Sequence, residues 1–592
     1  MKKNILFTSL LASFLLVNLN LNSSNNIEEV YKPIKIKNKN YNGASLTIYN
    51  CADYIDEALI ENFEDEYNCK VNYYTYDTNE TMYNQFSLQK EGTYDLICAS
   101  EYMIQKMVKE GLVQKMADYH TSVPNYEKYA SKELRNKLKN MKVITDSDIE
   151  VNLDEYAVGY MWGTLGIIYD ANATETIQED VKSWDVFWDE DYKDLISIKN
   201  SMRDTYVVGL MHAYSKDEEF VKLKEEYLKN PTEENCTKYN SLVQSIFDFK
   251  LDGSQKSEEE NYGKIETVKE ELISLKQNIF GFEVDSGKTD IITGKIKMNL
   301  AWSGDAVYSI TTAKEQAGKV LEYSVPEDGG NIWYDGWTIP YGANKELAYK
   351  FLDFISDPLS AASNMDYVGY TPFITGDQMF DLTSSYYGVS DYSSRRSYIA
   401  GESLLYNDEL YIATNDSKGE SPTNSAYFKK AQFVSSDEYF YGSVVEHNDE
   451  WYYCEYYNDT NPEKGIVGSS INDESIWTKM EKEAYDISYL YEGSLEEGRR
   501  SIIYPYPGCE NQLQTQYPSK EITARCAIMN DFGKYNADVI IMWGQIKAYT
   551  DMTPVYIFLS VIVVIFVTIV LISIIKKRKS AHYKRVLISK KK

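Results

Sequence analysis

The chain has 592 residues, which is long for a single domain, and its 43% hydrophobic and 26% charged residues are typical of a folded protein with sizeable cores. The formal net charge at pH 7 is −29, although the stretch between Lys576 and Lys592 contains nine basic residues and no acidic ones. A nucleic-acid partner is therefore excluded for the acidic remainder of the chain, because phosphate binding requires a basic face.

The N-terminus predicts a secretory signal over residues 1–24. Lys2 and Lys3 precede an apolar run from Ile5 to Val17, and asparagine-rich polar sequence follows. No small-x-small cleavage site follows the run, so a cleaved signal peptide and an uncleaved signal anchor are both open. No cysteine follows it either, which excludes a lipoprotein anchor.

Strand-like and helix-like segments alternate after the signal. Apolar, β-rich stretches predict strands at Ser45–Asn50, Lys70–Tyr76 and Tyr94–Ser100. A helix-like segment at Tyr54–Tyr67 lies between the first two strands, and another at Glu101–Lys109 follows the third. This alternation predicts a parallel sheet in an α/β lobe.

Residues 391–482 contain an internal repeat with an offset of 41 positions. Gly401 corresponds to Gly442, Asn407-Asp408 to Asn448-Asp449, and Tyr411 to Tyr452. The spacing predicts a pair of small β-units, each with a tight turn at its Asn-Asp dipeptide.

Metal, redox and hydrolytic chemistry have no sequence support. The seven cysteines are scattered without a CxxC pair, and the chain has only four histidines. No GxSxG, HExxH or phosphate-binding loop is present. We therefore expect neither an enzyme nor a protein with a cofactor or a metal site.

The segment Pro554–Ile575 predicts a transmembrane helix. It contains no charged residue, and at ~1.5 Å per residue it is long enough to cross a ~30 Å hydrocarbon core. The basic tail 576–592 follows directly, and basic residues concentrate on the cytoplasmic side. We expect the tail inside the cell and the body outside it, or in the periplasm of a Gram-negative cell.

Seven motifs resemble, in order, those of the spermidine/putrescine-binding proteins of ABC importers. They are YNCADY at Tyr49, NETMY at Asn79, YDLICASEY at Tyr94, GYMWG at Gly159, SWDVFWDEDYK at Ser183, GGNIWYDGWTIP at Gly329 and GYTPF at Gly369. The stretch Met529–Lys547 resembles the closing helix of the family. The resemblance implies an α/β, two-lobed periplasmic-binding-protein type II fold over residues 45–390 and 483–549, with the small all-β repeats inserted between them and the transmembrane helix after them. It also implies permease subunits and a cytoplasmic ATPase as partners.

A polyamine needs carboxylates for its ammonium groups and flat apolar walls for its methylene groups, and aromatic rings serve both. Asp335 lies between Trp333 and Trp337, where the family has an acid. The resemblance implies that the ligand contacts Asp335, Trp333, Trp302, Tyr54, Ser100, Tyr102, Asp204, Tyr370 and the position of Cys51. The alternatives are core packing for the two tryptophans Trp302 and Trp333, and a solvated surface acid for Asp204.

Three positions depart from the family pattern. Cys51 replaces a tryptophan, which predicts a roomier pocket unless a neighbouring aromatic side chain fills the space. Met529, near the closing helix, occupies a position that is often glutamine in the family. On the opposite lobe, Ser201 occupies the place of one of two acids, and only Asp204 is kept. The departures at Cys51 and Met529 affect the identity of the polyamine more than the class of ligand.

The repeats resemble small chitin-binding carbohydrate-binding modules. The matching aromatic residues are Tyr398, Tyr406, Tyr411 and Phe428 in the first copy and Tyr439, Tyr452 and Trp477 in the second. Exposed aromatic rings would stack on sugar faces, whereas buried ones would form the cores of the β-units. The alternative function is therefore a surface glycan-binding or adhesion protein.

Overall fold

The computed structural model describes residues 41–116, 119–284, 286–458, 461, 464–550 and 558–568. They fall into two compact units, with the boundary between Ala537 and Asp538. The predicted signal at 1–24 and the predicted basic tail at 576–592 lie outside the described residues.

One large sheet organises the first unit. Its strands and a separate hairpin are β1 Ser45–Cys51, β2 Lys70–Tyr76, β3 Leu96–Ser100, β4 Lys142–Ile144, β5 Glu150–Asn152, β6 Val158–Asp170, β7 Ile196–Lys199, β8 Gly281–Glu283, β9 Met298–Trp302, β10 Leu321–Ser324, β11 Gly330–Thr338 and β12 Thr371–Pro372. The order in the sheet is β2-β1-β3-β11-β6-β9-β7-β8, and β4 and β5 form the hairpin. The pairs β1–β2, β1–β3, β7–β8 and β7–β9 are parallel, as the alternating pattern predicts.

Two long strands divide this sheet into two lobes. The first half of β6 pairs with β11 and β12, and its second half pairs with β9 and β10. β11 pairs in turn with β3 of the first lobe. All thirteen residues of β6 are buried, which explains its almost continuous apolar sequence. The predicted two-lobed α/β architecture is confirmed.

The described residues form α-helices in both units. In chain order they are Glu57–Tyr67, Asn79–Phe86, Glu101–Lys109, Tyr119–Ser122, Pro124–Tyr129, Lys132–Asn140, Ile177–Asp180, Met202–Tyr214, Glu218–Lys229, Glu233–Phe247, Gln255–Leu275, Ser286–Thr293, Ser303–Ala317, Lys345–Ile355, Pro358–Val368, Asp377–Tyr387, Ser488–Tyr491, Glu510–Gln516, Lys520–Ala524 and Asn536–Ala548. Two of them, Glu101–Lys109 and Ser303–Ala317, begin directly at the carboxyl ends of strands β3 and β9. These strand ends position the side chains of the candidate site.

The repeats form two matching β-units. Their strands, with those that flank them and the last short strand of the main sheet, are β13 Gly388–Ser390, β14 Ser397–Tyr398, β15 Ser403–Tyr406, β16 Glu409–Ala413, β17 Ser417–Lys418, β18 Phe428–Lys430, β19 Glu438–Tyr439, β20 Val444–His447, β21 Glu450–Cys454, β22 Ile466–Val467, β23 Trp477–Met480, β24 Tyr485–Asp486, β25 Ile502–Pro505 and β26 Cys526–Ala527. The three-stranded sheets β15-β16-β18 and β20-β21-β23 correspond to each other. The chain leaves the body at β13 and returns at β24, and β13, β25 and β24 form a three-stranded antiparallel sheet.

The predicted Asn-Asp turns of the repeats are confirmed. Asn407 and Asp408 have φ values of 53° and 61°, and Asn448 and Asp449 have values of 52° and 63°. Two successive residues with positive φ define the tight hairpin turn that asparagine and aspartate tolerate better than other non-glycine residues.

Of the residues that the structure describes, no helix combines the length and the apolarity needed to span a bilayer. The predicted span Pro554–Ile575 is described only at 558–568, which is helical, and its remaining residues lie outside the described part of the chain.

Candidate ligand-binding cleft

Asp335 lies where the two lobes meet, at an irregularity in the pairing of β11 with β6. The register shifts between Tyr334 and Gly336, and such bulges commonly redirect a side chain at a binding site. On the other side of β11, Asp335 is in register with Ser100 at the end of β3. The Tyr54 hydroxyl donates a hydrogen bond of 2.7 Å to Asp335 Oδ2. Asp335 Oδ1 is buried and has no hydrogen-bond partner among the described residues.

Burial raises the pKa of Asp335 to about 6. The side chains of Tyr54 and Ser100 act to lower this pKa, while the negative charge of Asp204 raises it further. A cation placed against Asp335 would stabilise the ionised carboxylate. The cleft therefore holds a carboxyl group that lacks a positive partner and has an acceptor atom available.

The affinity for a cationic ligand should fall as the pH drops below about 6. An ammonium ligand stays charged across this range, so the change comes from protonation of Asp335 and approaches about tenfold per pH unit. Calorimetric titrations of the full chain between pH 5 and pH 8 measure the effect. The Asp335→Asn variant should lose most of the pH dependence. A wild-type affinity that stays unchanged down to pH 5 would contradict the role of Asp335 in this pH dependence.

Three aromatic rings form a wall beside Asp335. The rings of Tyr54 and Tyr370 meet edge to face at a centroid distance of 5.3 Å, and those of Trp333 and Tyr370 at 5.5 Å. A Cβ on Gly163 would lie 2.6 Å from Cζ2 of Trp333, so the indole packs directly on the glycine backbone. The Nε1 atom of Trp333 is buried without a hydrogen-bond partner among the described residues. The wall suits methylene groups and the face of a cation.

The opposite lobe contributes Asp204 and Trp302. Asp204 lies in the first turn of the helix Met202–Tyr214, and its backbone amide donates to the Ser201 hydroxyl at 3.4 Å. The replacement of an acid by Ser201 thus preserves the cap of this helix. Burial raises the pKa of Asp204, although Ser201, Trp302 and Lys199 act to lower it. Since Asp204 in turn raises the pKa of Asp335, the two carboxyl groups repel each other across the cleft.

The structure brings Ser100 and Tyr102 to the same region. The Ser100 hydroxyl accepts a hydrogen bond of 3.0 Å from Asn79. The Tyr102 hydroxyl donates to Glu80 at 3.0 Å, and the guanidinium carbon of Arg203 lies 3.6 Å from the Tyr102 ring centroid. Tyr102 and Arg203 belong to opposite lobes, so the walls of the cleft touch at this point.

Sequence reasoning missed Arg203 and Glu101. Arg203 donates to the carbonyl oxygen of Asn530 at 2.8 Å and also to that of Met529. Burial raises the pKa of Glu101 to about 8, and the carboxylate accepts a hydrogen bond of 2.8 Å from the Tyr334 amide. Glu101 lies within the YDLICASEY motif, but the motif does not indicate that its carboxyl group is buried, and no motif indicates the contacts of Arg203. Each residue acts through contacts that are distant in the chain.

Cys51 ends strand β1, and Tyr76 is its register partner on β2. Tyr76 is buried, and its hydroxyl donates to the Cys98 carbonyl at 2.8 Å. An aromatic side chain thus lies next to the position where the family has tryptophan. This contact favours the alternative in which a neighbouring aromatic side chain occupies the space of the missing tryptophan, rather than a roomier pocket.

The aromatic residues of the repeats are mostly buried. Tyr398, Tyr411 and Phe428 belong to the core of the first unit, and Tyr439 and Trp477 to that of the second. The exposed aromatic side chains of this region are different ones, Tyr441 at 57% and Tyr457 at 46%. These five aromatic residues of the repeat pattern therefore form the cores of the β-units and are not exposed for stacking on a sugar.

Comparisons with known proteins converge on one family. Residues 58–378 match the family model for bacterial extracellular solute-binding proteins. The chain is 27% identical over 330 residues to the spermidine/putrescine-binding periplasmic protein of Salmonella typhimurium, covering 55% of this chain and 76% of that protein. It is 26% identical over 331 residues to a putrescine-binding periplasmic protein of Escherichia coli, covering 55% and 77%.

Solved structures include a spermidine/putrescine ABC transporter substrate-binding protein from Streptococcus pneumoniae. The two chains are 26% identical over a match that covers 56% of this chain and 83% of the solved one, with a TM-score of 0.40. The match to the family model ends at residue 378, before the repeats begin.

Proposed function

Because this chain belongs to the bacterial extracellular solute-binding proteins, we propose that it binds a polyamine such as putrescine or spermidine between its lobes and delivers it to the permease subunits of an ABC importer. A cytoplasmic ATPase would power the import. The proposal assigns the chain a binding function without a catalytic step.

One observation carries the proposal: Asp335 combines an available carboxylate oxygen with a wall of aromatic rings. Its Oδ1 atom has no hydrogen-bond partner among the described residues, and Tyr54 holds the other oxygen in place. Asp204 supplies a second carboxylate from the facing lobe. Two carboxylates separated by flat apolar surfaces match the two ammonium groups and the methylene chain of a diamine. The names of the relatives support the same class of ligand.

Calorimetric titration of the full chain in detergent tests the function. Putrescine, spermidine and spermine form one arm, and 1-aminobutane and γ-aminobutyrate form the control arm. The diamine should bind far more tightly than 1-aminobutane, which has one ammonium group fewer. Preferential binding of γ-aminobutyrate would instead assign Arg203 to a ligand carboxylate, and the absence of any polyamine binding would refute the proposal.

We also propose that Pro554–Ile575 anchors the chain in the membrane. The support is its uncharged sequence and the basic residues that follow it. Protease added to intact cells should remove the binding region and spare a tag fused to the C-terminus. Loss of the tag in intact cells would contradict the proposed topology.

Surface glycan binding by the repeats is the second candidate and has weaker support. Tyr441 and Tyr457 are exposed, and their rings meet edge to face at 6.0 Å. Such a pair could contact a sugar, but most of the aromatic residues that match carbohydrate-binding modules form the cores of the two units.

A further inference from the structure

A lysine ammonium is buried in the lobe that carries Asp204. The Lys199 side chain is 1% exposed, and its Nζ lies 3.0 Å from Asp305 Oδ2 and 3.4 Å from Glu283 Oε1. It also donates to the Val284 carbonyl at 3.1 Å. Lysine is rarely buried so completely unless its charge is paired. We call the group that surrounds this ammonium, formed by Asp305, Glu283, the Val284 carbonyl and Trp302, the lysine cage.

The lysine cage is part of the cleft wall. Lys199 Nζ lies 4.6 Å from the ring centroid of Trp302, within the range of a cation–π contact. The other oxygen of Asp305 accepts a hydrogen bond of 3.0 Å from Tyr370, whose ring packs against Tyr54 and Trp333. The surroundings of this ammonium are therefore those that a ligand ammonium requires.

The charges of the lysine cage balance without a ligand. The pKa of Asp305 lies below its ordinary value although burial acts to raise it, because the ammonium groups of Lys199 and Lys288 stabilise the carboxylate. Lys288 Nζ lies 3.5 Å from Asp305 Oδ1. Two lysines thus face the two acids Asp305 and Glu283. Beyond the cage, Asp335 and Asp204 are close enough across the cleft for the charge of Asp204 to raise the pKa of Asp335, and neither forms an ion pair with a lysine or arginine among the described residues.

We propose that the Lys199 ammonium stands in place of a ligand ammonium and makes the cleft selective for diamines over triamines and tetraamines. A diamine satisfies Asp335 and Asp204, whereas a third ammonium near Trp302 would meet the charge of Lys199 and find no unpaired acid. This inference rests on the proposed polyamine-binding function.

Competitive titration of the full chain with putrescine and spermidine tests the proposal. The wild-type protein should bind putrescine at least about tenfold more tightly than spermidine. Lys199→Met removes only the terminal ammonium from the lysine cage and keeps an unbranched side chain, so Asp305 and Glu283 lose a positive partner that the third ammonium of spermidine can replace. The ratio of spermidine affinity to putrescine affinity should then rise by about tenfold or more.

Lys288→Met is the matched control, because it removes a positive charge from the same Asp305 carboxylate and leaves the Lys199 ammonium in the cage. Its affinity ratio should change less than threefold. An unchanged ratio in Lys199→Met, or equal shifts in both variants, would overturn the proposal.

The wild-type measurement keeps the proposal falsifiable if Lys199→Met does not fold. Spermidine binding equal to or tighter than putrescine binding would overturn diamine selectivity and leave the proposed function intact. The absence of any polyamine binding would refute the proposed function itself.

Discussion

Replacing Asp335 by asparagine should weaken the binding of putrescine and spermidine by roughly 2–4 kcal/mol, which is about 30-fold to about 1000-fold in the dissociation constant. The substitution removes the negative charge of a buried carboxyl group whose Oδ1 atom has no hydrogen-bond partner among the described residues, so a ligand ammonium loses its charged acceptor there. The Tyr54 hydroxyl can still donate to the asparagine oxygen, so the local hydrogen bond is kept. Calorimetric titration of the variant measures the loss.

Asp353→Asn is the matched control for this change. Asp353 is 3% exposed, burial raises its pKa to about 6, and it accepts a hydrogen bond of 2.8 Å from the Asn125 amide. It therefore shares the burial and titration of Asp335 but lies on the helix Lys345–Ile355, outside the cleft. We expect lower stability with wild-type affinity. Wild-type affinity of Asp335→Asn for every polyamine would instead show that the cleft assignment is wrong.

Trp333→Ala should also cost roughly 2–4 kcal/mol of binding free energy. The indole packs against Tyr370 and is 9% exposed, so its loss removes both a ligand-facing wall and the support of a second ring. Titration calorimetry measures the affinity, and the thermal midpoint reports any loss of stability.

Two conservative variants separate binding from packing at this wall. Trp333→Phe keeps an aromatic face and should lose no more than about 1 kcal/mol of binding free energy. Trp337→Phe makes the same exchange on the same strand, at a residue that packs on Tyr160 and Phe351 in the lobe core. It should lower stability without changing affinity. If Trp337→Phe weakened binding as much as Trp333→Ala, the loss of affinity in Trp333→Ala would come from disturbed packing and not from a lost contact with the ligand.

Local sequence patterns predicted the scaffold of the cleft well. The helix Glu101–Lys109 and the strand Lys70–Tyr76 have the predicted bounds, because strand and helix periodicities depend on neighbours along the chain. The predicted helix Tyr54–Tyr67 begins later, at Glu57, where Asp56 caps it. Tyr54 is thereby left outside the helix.

The contacts across the cleft could not be predicted in this way. Lys199 and Asp305 are 106 positions apart, and Tyr102 and Arg203 belong to different lobes. Their proximity depends on how β6 and β11 connect the two halves of the sheet. In the repeats, the sequence does not show whether a tyrosine side chain faces a ligand or the core. Only the packing in the structure shows that Tyr439 is buried and that Tyr441 is exposed.

A crystal structure of the protein with putrescine tests the central claim most directly. We expect one ammonium nitrogen at about 3 Å from Asp335 Oδ1, the other beside Asp204, and the methylene chain against the Trp333 ring. Putrescine bound away from Asp335, with both ammonium groups paired to other acids, would contradict the account.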